Sequence, residues 1–204
     1  MYKKGLKPVF DFLIAFVATL ILTPVLLIVA IAIKLESKGP AIFTQPRLGL
    51  NGTIFKIYKF RSMITDQSQI KKSNKVYEND PRITSVGRFI RKTSLDELPQ
   101  IFNILKGEMS FIGPRPPLPH FPKVYDQYNE FEKQRFQAKP GISGLAQKRC
   151  REIHDWDVNI PIDVEYVQNY SFSYDVKLFL QSLMAFFKTN NVYRQKSSEK
   201  PKTI

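Results

Sequence analysis

An adjacent pair of carboxylates, Asp96 and Glu97, is the most informative chemical feature of the sequence. The pair lies in the run RFIRKTSLDELPQ, where it is preceded by the basic residues Arg88, Arg91 and Lys92. Basic neighbours keep a carboxylate ionised, and an ionised carboxylate can attack phosphorus to give an acyl phosphate. An adjacent carboxylate could help to hold Mg²⁺, which neutralises diphosphate oxygens. The pattern favours phosphoryl chemistry at this pair, with both carboxylates as candidate metal ligands.

A helix cap is the competing interpretation of the same run. Ser94 and Glu97 have the spacing of a capping box, and acidic residues in a first turn stabilise a helix by about 0.3–1 kcal/mol each. Pro99 would then be the fifth helical residue, where its missing N–H is no longer free of cost. We therefore expect an irregular backbone around the acidic pair.

Lys59, in KIYKFRSM, and Arg115, in GPRPP, are candidate phosphate-binding residues outside this run. A guanidinium binds phosphate through paired donors, and the prolines around Arg115 predict a stiff, extended loop. For most of the 31 Lys and Arg residues, surface solvation is the simpler interpretation. Two His and one Cys leave no zinc ligand set, and neither common phosphate-binding glycine loop occurs. Carboxylates must therefore carry any chemistry.

Length and charge limit the class of protein. A chain of 204 residues is long enough for one core-bearing domain and a short appendage. The net charge of +13 indicates an anionic partner, which could be nucleic acid, lipid headgroups or phosphorylated substrates. A lone thiol, Cys150, fits a reducing compartment and therefore a cytoplasmic domain.

An apolar segment over residues 9–33, with Asp11 as its one charged residue, is long enough to cross a bilayer as a helix. It exceeds the apolar region of a secretory signal peptide, so we expect it to be retained. Both flanks are basic, and Thr23 and Pro24 near its middle predict a sharp bend. A re-entrant helix with both ends in the cytoplasm and a spanning helix with a proline kink are equally compatible with this pattern.

The remaining sequence predicts an α+β fold that is mainly helical. Residues 41–60 read as a small β-hairpin with Asn51 and Gly52 at its tip. Residues 66–82 read as a mobile loop, and a helix starts at the acidic pair and ends at Gly107. Residues 123–137 look helical and KPGISG looks like a turn.

Two further helices, around VEYVQNY and DVKLFLQSLMAFFK, complete the predicted domain. The second carries an apolar stripe that suits either core packing, the commoner case, or a helix in the membrane interface. The stripe comprises Val176, Phe179, Leu180, Leu183, Met184, Phe186 and Phe187. The predicted division is a membrane helix over 1–36, a catalytic domain over 37–190 and a disordered basic tail over 191–204.

Several long motifs in one order give a family resemblance. FTQPRLGLNGTIFKIYKFRSM, IRKTSLDELPQIFNILKGEMSFIGPRP and KPGISGLAQ follow an apolar segment with an internal proline, and together they cover residues 1 to about 190. This pattern closely resembles the small monotopic phosphoglycosyl transferases of bacterial glycan assembly. The resemblance implies a helix re-entrant at Thr23 and Pro24, interfacial amphipathic helices and a catalytic domain on the cytoplasmic face of the inner membrane. It also implies Mg²⁺, a UDP-sugar donor and undecaprenyl phosphate as acceptor.

By the same resemblance, Asp96 matches the nucleophile that attacks the donor β-phosphate and releases UMP, and Glu97 matches its dyad partner. The matching phosphate-binding positions are Lys59, Arg91, Arg115 and Arg151. The sequence departs from the family over residues 147–152, where it keeps the arginine but loses the preceding Asn-Gly turn. Recognition of the sugar or the base is the property that this change affects.

Two other functions fit parts of the sequence. A non-catalytic, membrane-anchored basic module that binds anionic lipid or nucleic acid would also explain the charge and the anchor, but it makes no use of Asp96. A glycosyltransferase that moves the sugar without its phosphate would release UDP rather than UMP. The family resemblance favours the phosphoglycosyl transferase, which has no nucleic-acid partner and which supplies downstream glycosyltransferases.

Overall fold

The computed structural model describes residues 2–64, 80–150 and 155–187. The fold is mainly helical with short strands, as predicted. The helices are α1 (Lys7–Glu36), α2 (Ser85–Lys92), α3 (Ile101–Leu105), α4 (Glu130–Lys133), α5 (Leu145–Arg149), α6 (Trp156–Asn169) and α7 (Phe172–Phe187). The strands are β1 (Ile42–Leu48), β2 (Ile54–Phe60), β3 (Ser110–Ile112) and β4 (Gly141–Ser143). Most of the predicted mobile loop, Arg151 and the tail over 191–204 lie outside the described residues.

Helix α1 is the one described helix that is long and apolar enough to cross a membrane. It runs as one continuous helix over 30 residues, with Pro24 inside it. The structure therefore does not divide this segment into two helices, as the predicted helix-break-helix arrangement would. The hydroxyl of Thr23 donates to the carbonyl oxygen of Thr19 at 2.7 Å. A re-entrant course through the bilayer stays a prediction at this point.

One face of α1 packs against the rest of the chain along the whole helix. The buried positions recur every three or four residues apart from the interval between Ala15 and Leu26, which the half-buried Ala18 and Leu22 fill, as expected for one side of a helix. They are Lys7, Asp11, Ala15, Leu26, Val29 and Ile33. The other face exposes large apolar side chains, among them Phe12, Phe16, Leu20, Ile21, Leu27, Ile28, Ile31 and Leu35. Such a face requires an apolar environment.

The hairpin β1–β2 is antiparallel, and its register runs from Ile42 opposite Phe60 to Leu48 opposite Ile54. Asn51 and Gly52 occupy the tip with φ angles of 52° and 75°, which confirms the local turn signal. Phe55 and Ile57 point inward and pack around Ala15 of α1. The hairpin is therefore fixed to the membrane helix as well as to the domain.

The acidic segment differs from a capped α-helix. Ser94 has a left-handed φ of 56° and makes no cap hydrogen bond through its side chain, so the capping-box interpretation is wrong. A 3₁₀ helix over Leu95–Gln100 follows, with Pro99 inside it, and leads into α3. The irregular backbone expected here is confirmed, and Gly107, at a φ of 76°, follows the helix as predicted.

The middle of KPGISG, Gly141–Ser143, forms a strand, so the prediction of a turn is wrong there. Strand β4 pairs in parallel with β3, with Ser110 opposite Gly141 and Ile112 opposite Ser143. A Cβ added to Gly141 would lie 2.2 Å from the backbone nitrogen of Gly113, so this close pairing requires glycine. The pairing joins segments about thirty residues apart, which no local turn signal reveals.

The segment over 123–137 is helical only in short pieces. These are a 3₁₀ turn over Tyr125–Gln127, then α4, then a second 3₁₀ turn over Gln134–Gln137. The two C-terminal helices, α6 and α7, are confirmed. On α7, Leu178 is buried, whereas Val176, Leu180, Leu183 and Met184 of the apolar stripe are 40–59% exposed. Core packing therefore does not explain this part of the stripe.

Candidate active site

The acidic pair lies against the hairpin. The ammonium group of Lys59, near the end of β2, is 2.6 Å from the carboxylate of Glu97 in the 3₁₀ helix. The two side chains keep 23% and 30% of their surface exposed, so the ion pair is accessible from solvent and does not lie in the core. The structure thus brings together two of the residues that the sequence singled out.

A buried asparagine fixes the hairpin to the segment that carries the acidic pair. Asn103 of α3 is fully buried, and its Oδ1 accepts from the backbone N–H of Tyr58 at 3.0 Å. Its Nδ2 donates to the carbonyl oxygen of Lys56 at 2.8 Å and to Glu108 at 2.7 Å. The bonds to Tyr58 and Lys56 give hydrogen-bond partners to backbone groups of β2 that lie next to Lys59. Sequence reasoning missed Asn103; its one signal is a polar residue among the apolar residues of α3.

Asp96 has a raised pKa. Burial is the main cause, and the negative charge of Glu97 adds to it, while Lys59 and Arg91 oppose it; the pKa of Asp96 is about 6. The sequence analysis predicted that basic neighbours would keep this carboxylate ionised, and it did not anticipate the effect of burial. Even so, a carboxyl group of pKa about 6 is about 90% ionised at pH 7. Asp96 is therefore available as an anion at neutral pH and is a stronger base than an ordinary aspartate.

Glu97 shifts in the opposite direction. Burial acts to raise its pKa, but the charges of Lys59, Arg115 and Arg47, together with the hydrogen bond from Lys59, outweigh burial and lower the pKa of Glu97. Two neighbouring carboxyl groups with pKa values displaced in opposite directions are typical of catalytic sites. Glu97 is the member whose charge is paired, and Asp96 has no ion pair among the described residues.

Arg91 reaches the site from the last turn of α2. Its charge acts on Asp96, and its Nη1 is buried without a hydrogen-bond partner among the described residues. The position of α2 depends on α1, because the Glu36 carboxylate accepts from the backbone N–H groups of Ser85 and Val86 at 2.7 and 3.0 Å. An anion placed near Asp96 would find an unused donor on Arg91.

Arg115 lies exposed in the proline-rich loop, close enough to Glu97 for its charge to lower the pKa of that carboxyl group. Arg47 of β1 acts on Glu97 in the same way and was missed by sequence reasoning. Burial and the neighbouring charge of Arg115 lower the pKa of Arg47 to about 10. The site therefore contains an arginine from the hairpin in addition to those predicted.

Other predicted groups lie elsewhere. Arg61, another basic residue of KIYKFRSM, is buried and donates to the carbonyl oxygens of Lys38 and Ser37 at 2.5 and 2.8 Å, so it caps α1. Thr23 and Pro24 lie within α1. The described residues hold no cluster of three or more His, Cys, Asp or Glu side chains suited to a metal ion.

The site therefore combines an apolar helix, a β-hairpin and an acidic pair surrounded by cations. The chain belongs to the bacterial sugar transferase family, whose sequence profile matches residues 2–189.

Individual relatives carry more specific names. The chain is 49% identical over 156 residues to a galactosyl transferase of Streptococcus agalactiae, covering 71% of this chain and 34% of that protein. It is 38% identical to a UDP-glucose:undecaprenyl-phosphate glucose-1-phosphate transferase of Escherichia coli, covering 92% of this chain and 41% of that one. A protein of the same name from Caulobacter vibrioides is also 38% identical, with 92% and 72% covered. The chain thus spans less than half the length of the first two relatives.

Proposed function

We propose that this chain transfers a sugar 1-phosphate from a UDP-sugar to undecaprenyl phosphate, giving an undecaprenyl-diphosphate sugar and UMP. This would be the first membrane step of glycoconjugate assembly, at the cytoplasmic face of the bacterial inner membrane. The relatives from Escherichia coli and Caulobacter vibrioides, both named as UDP-glucose:undecaprenyl-phosphate glucose-1-phosphate transferases, support it, whereas the relative from Streptococcus agalactiae is named a galactosyl transferase. The observation that carries it is the acidic pair, in which Glu97 is ion-paired with Lys59 and Asp96 forms no ion pair with any residue that the structure describes.

Asp96 is the nucleophile in this proposal. One of its carboxylate oxygens attacks the β-phosphorus of the donor, and the bond from that phosphorus to the bridging oxygen breaks. UMP leaves with the bridging oxygen, and the sugar phosphate remains on Asp96 as an acyl phosphate. An oxygen of the undecaprenyl phosphate then attacks the same phosphorus and releases the Asp96 carboxylate. Donor and acceptor therefore use the site in turn.

The surrounding cations hold the phosphates. Arg91, with a buried donor that has no hydrogen-bond partner in the described part of the chain, and Arg115, whose side chain is exposed, are suited to phosphate oxygens. Lys59 neutralises Glu97 and reduces the repulsion that two adjacent carboxylates would exert on an incoming diphosphate. Arg151, predicted as a further phosphate-binding residue, lies outside the described residues.

Mg²⁺ is the proposed cofactor. Asp96 and Glu97 offer carboxylate oxygens, and Mg²⁺ commonly binds to one or two carboxylates with substrate phosphates and water completing its shell. The donor set therefore fits a metal that is bound together with the substrate. When bound, the ion neutralises diphosphate oxygens.

We propose that α1 enters one leaflet and that both of its ends stay in the cytoplasm. At its start, Lys7 donates to Asp175 of α7 at 2.7 Å, and both side chains are only 8% exposed. At its end, Arg61 and the Glu36 contacts bind the helix to the same domain. A helix held along its length by one water-soluble domain is not free to place its ends on opposite sides of a membrane.

The exposed apolar stripe of α7 supports the same arrangement. The rings of Phe10 on α1 and Phe172 on α7 are 5.4 Å apart, so the two apolar faces are continuous. We propose that this face of α7 lies in the membrane interface beside α1.

Release of UMP tests the proposed function. The membrane-extracted protein is incubated with a panel of UDP-sugars without acceptor, and a burst of UMP close to one per active chain is expected, with label from the β-phosphate retained on the protein. Asp96→Asn should abolish both, and Lys133→Gln, a surface variant on α4, should not. UMP that appears only after acceptor is added would refute the covalent step. Release of UDP would indicate transfer of the sugar alone, and a non-catalytic basic module would release neither nucleotide.

A further inference from the structure

The backbone around Arg115 is held by an unusual set of donors. Four successive carbonyl oxygens of the proline-rich loop each accept a hydrogen bond from a different group. The pairs are Pro114 with the N–H of Gly141 at 3.0 Å, Arg115 with Nη2 of Arg135 at 2.8 Å, Pro116 with Nη1 of Arg47 at 3.0 Å, and Pro117 with the N–H of Leu48 at 3.0 Å. Because prolines have no N–H, the loop depends on these outside donors for its position.

The two arginine donors differ in how their charge is balanced. Arg135 pairs with Asp163 at 2.6 Å, and both side chains are almost completely buried. This guanidinium has a counter-ion of its own, as a purely structural arginine in the interior requires. It fixes the loop and contributes no net charge to the site.

Arg47 has no carboxylate partner within ion-pair distance among the described residues. Its Nη2 donates to the neutral amide oxygen of Gln45 at 2.7 Å. Both arginines have buried nitrogens without a hydrogen-bond partner in the described part of the chain, so the lack of a carboxylate is what distinguishes Arg47. The charges of Arg115 and Glu97 both act on it, the first unfavourably. A half-buried guanidinium beside a second guanidinium is costly until an anion arrives between or beside them.

We infer that Arg47 is a positioning residue for the donor diphosphate: it holds Arg115 in place through the Pro116 carbonyl and adds a positive charge to the phosphate site. This inference rests on the proposed function, because it assigns Arg47 to the site where the UDP-sugar would bind. Arg135, by contrast, serves the loop alone.

Two variants separate the contributions of Arg47. Arg47→Gln keeps an amide donor but removes the charge, whereas Arg47→Lys keeps the charge but loses the planar set of donors. Lys133→Gln is the control, because it removes a positive charge that pairs with the exposed Glu130 rather than with a residue of the loop. The UMP burst amplitude measures the fraction of active protein in each preparation, so a folding defect is separated from weaker binding.

The first measurement is the KM for the UDP-sugar and the dissociation constant for UDP, the latter by calorimetry on membrane-extracted protein. For Arg47→Gln we expect both to rise about tenfold to a hundredfold, the range for one charge-assisted hydrogen bond. We expect a smaller rise for Arg47→Lys and none for Lys133→Gln. Unchanged constants in Arg47→Gln, or loss of kcat and burst amplitude alone, would overturn the inference.

The second measurement is a double-mutant cycle with Arg115→Lys. If Arg47 acts through Arg115, adding Arg47→Lys to that variant should weaken UDP binding by much less than it does in the wild-type chain. Additive losses would show that the two arginines act independently and would overturn the positioning role. UDP binding does not require turnover, so wild-type protein that binds UDP but releases no UMP would refute the proposed function and still test Arg47. Wild-type protein that binds no UDP would overturn the inference.

Discussion

Lowering the pH from 7 to 5 should slow the first half of the proposed reaction about tenfold, because only the ionised form of Asp96 can attack phosphorus. Burial sets the pKa of Asp96 at about 6. A group with this pKa is about 91% ionised at pH 7 and about 9% ionised at pH 5. An aspartate at the ordinary pKa of about 3.9 would lose less than about a tenth of its ionised form over the same interval.

The assay is the pH dependence of kcat/KM for UMP release, which reports the ionisation of the free protein. Rates should rise with pH through 6 and level off above 7. Two variants should move this rise in rate in opposite directions along the pH axis. Lys59→Met removes a charge that lowers the pKa of Asp96, so the rise moves to higher pH. Glu97→Gln removes a charge that raises the pKa of Asp96, so the rise moves to lower pH. A profile that is flat between pH 5 and 8, or a rise in rate at the same pH in both variants and the wild-type chain, would refute the assignment of the rise to Asp96.

Three further results are expected. Asp175→Asn should lower the free energy of unfolding in detergent by about 1.5–3 kcal/mol, because it removes the nearer of the two carboxylates that face the buried Lys7, leaving Asp11 at 3.9 Å; an unchanged denaturation midpoint would contradict this. Asn103→Leu should cost about 1–3 kcal/mol by leaving a β2 N–H unpaired, and it should also slow UMP release; stability lost with full activity would separate the asparagine from the site. In a chain without Cys150, cysteines at Gly5 and Lys38 should both resist an impermeant thiol reagent in intact spheroplasts and react after permeabilisation. Labelling of one alone would establish a spanning helix.

Local signals in the sequence were sufficient for part of the fold. The hairpin follows from Asn51 and Gly52, whose left-handed φ angles belong to the turn itself. The acidic pair was found because its two carboxylates suit phosphoryl chemistry and because it lies within a motif of the family. The capping-box interpretation failed because Ser94 adopts a left-handed conformation, which directs its side chain away from the cap. Such a conformation depends on the surrounding packing more than on neighbours in sequence.

Long-range contacts account for most of what the sequence did not reveal. Strand β4 exists because residues about thirty positions apart pair in parallel, and the same residues in isolation resemble a turn. Arg47 and Asn103 belong to the site through partners 69 and 45 residues away, respectively. The raised pKa of Asp96 depends on burial, which a count of neighbouring basic residues cannot provide.

The packing of α1 bears on how this protein can be prepared. Ala15 contributes to the same apolar cluster as Phe55 and Ile101, and Ile33 to the cluster that contains Phe60. Removal of residues 1–36 would therefore expose part of the core and leave Asp175 without Lys7. It would not release a soluble catalytic fragment. Detergent or nanodisc extraction of the intact chain, not removal of its anchor, is the route to a folded sample.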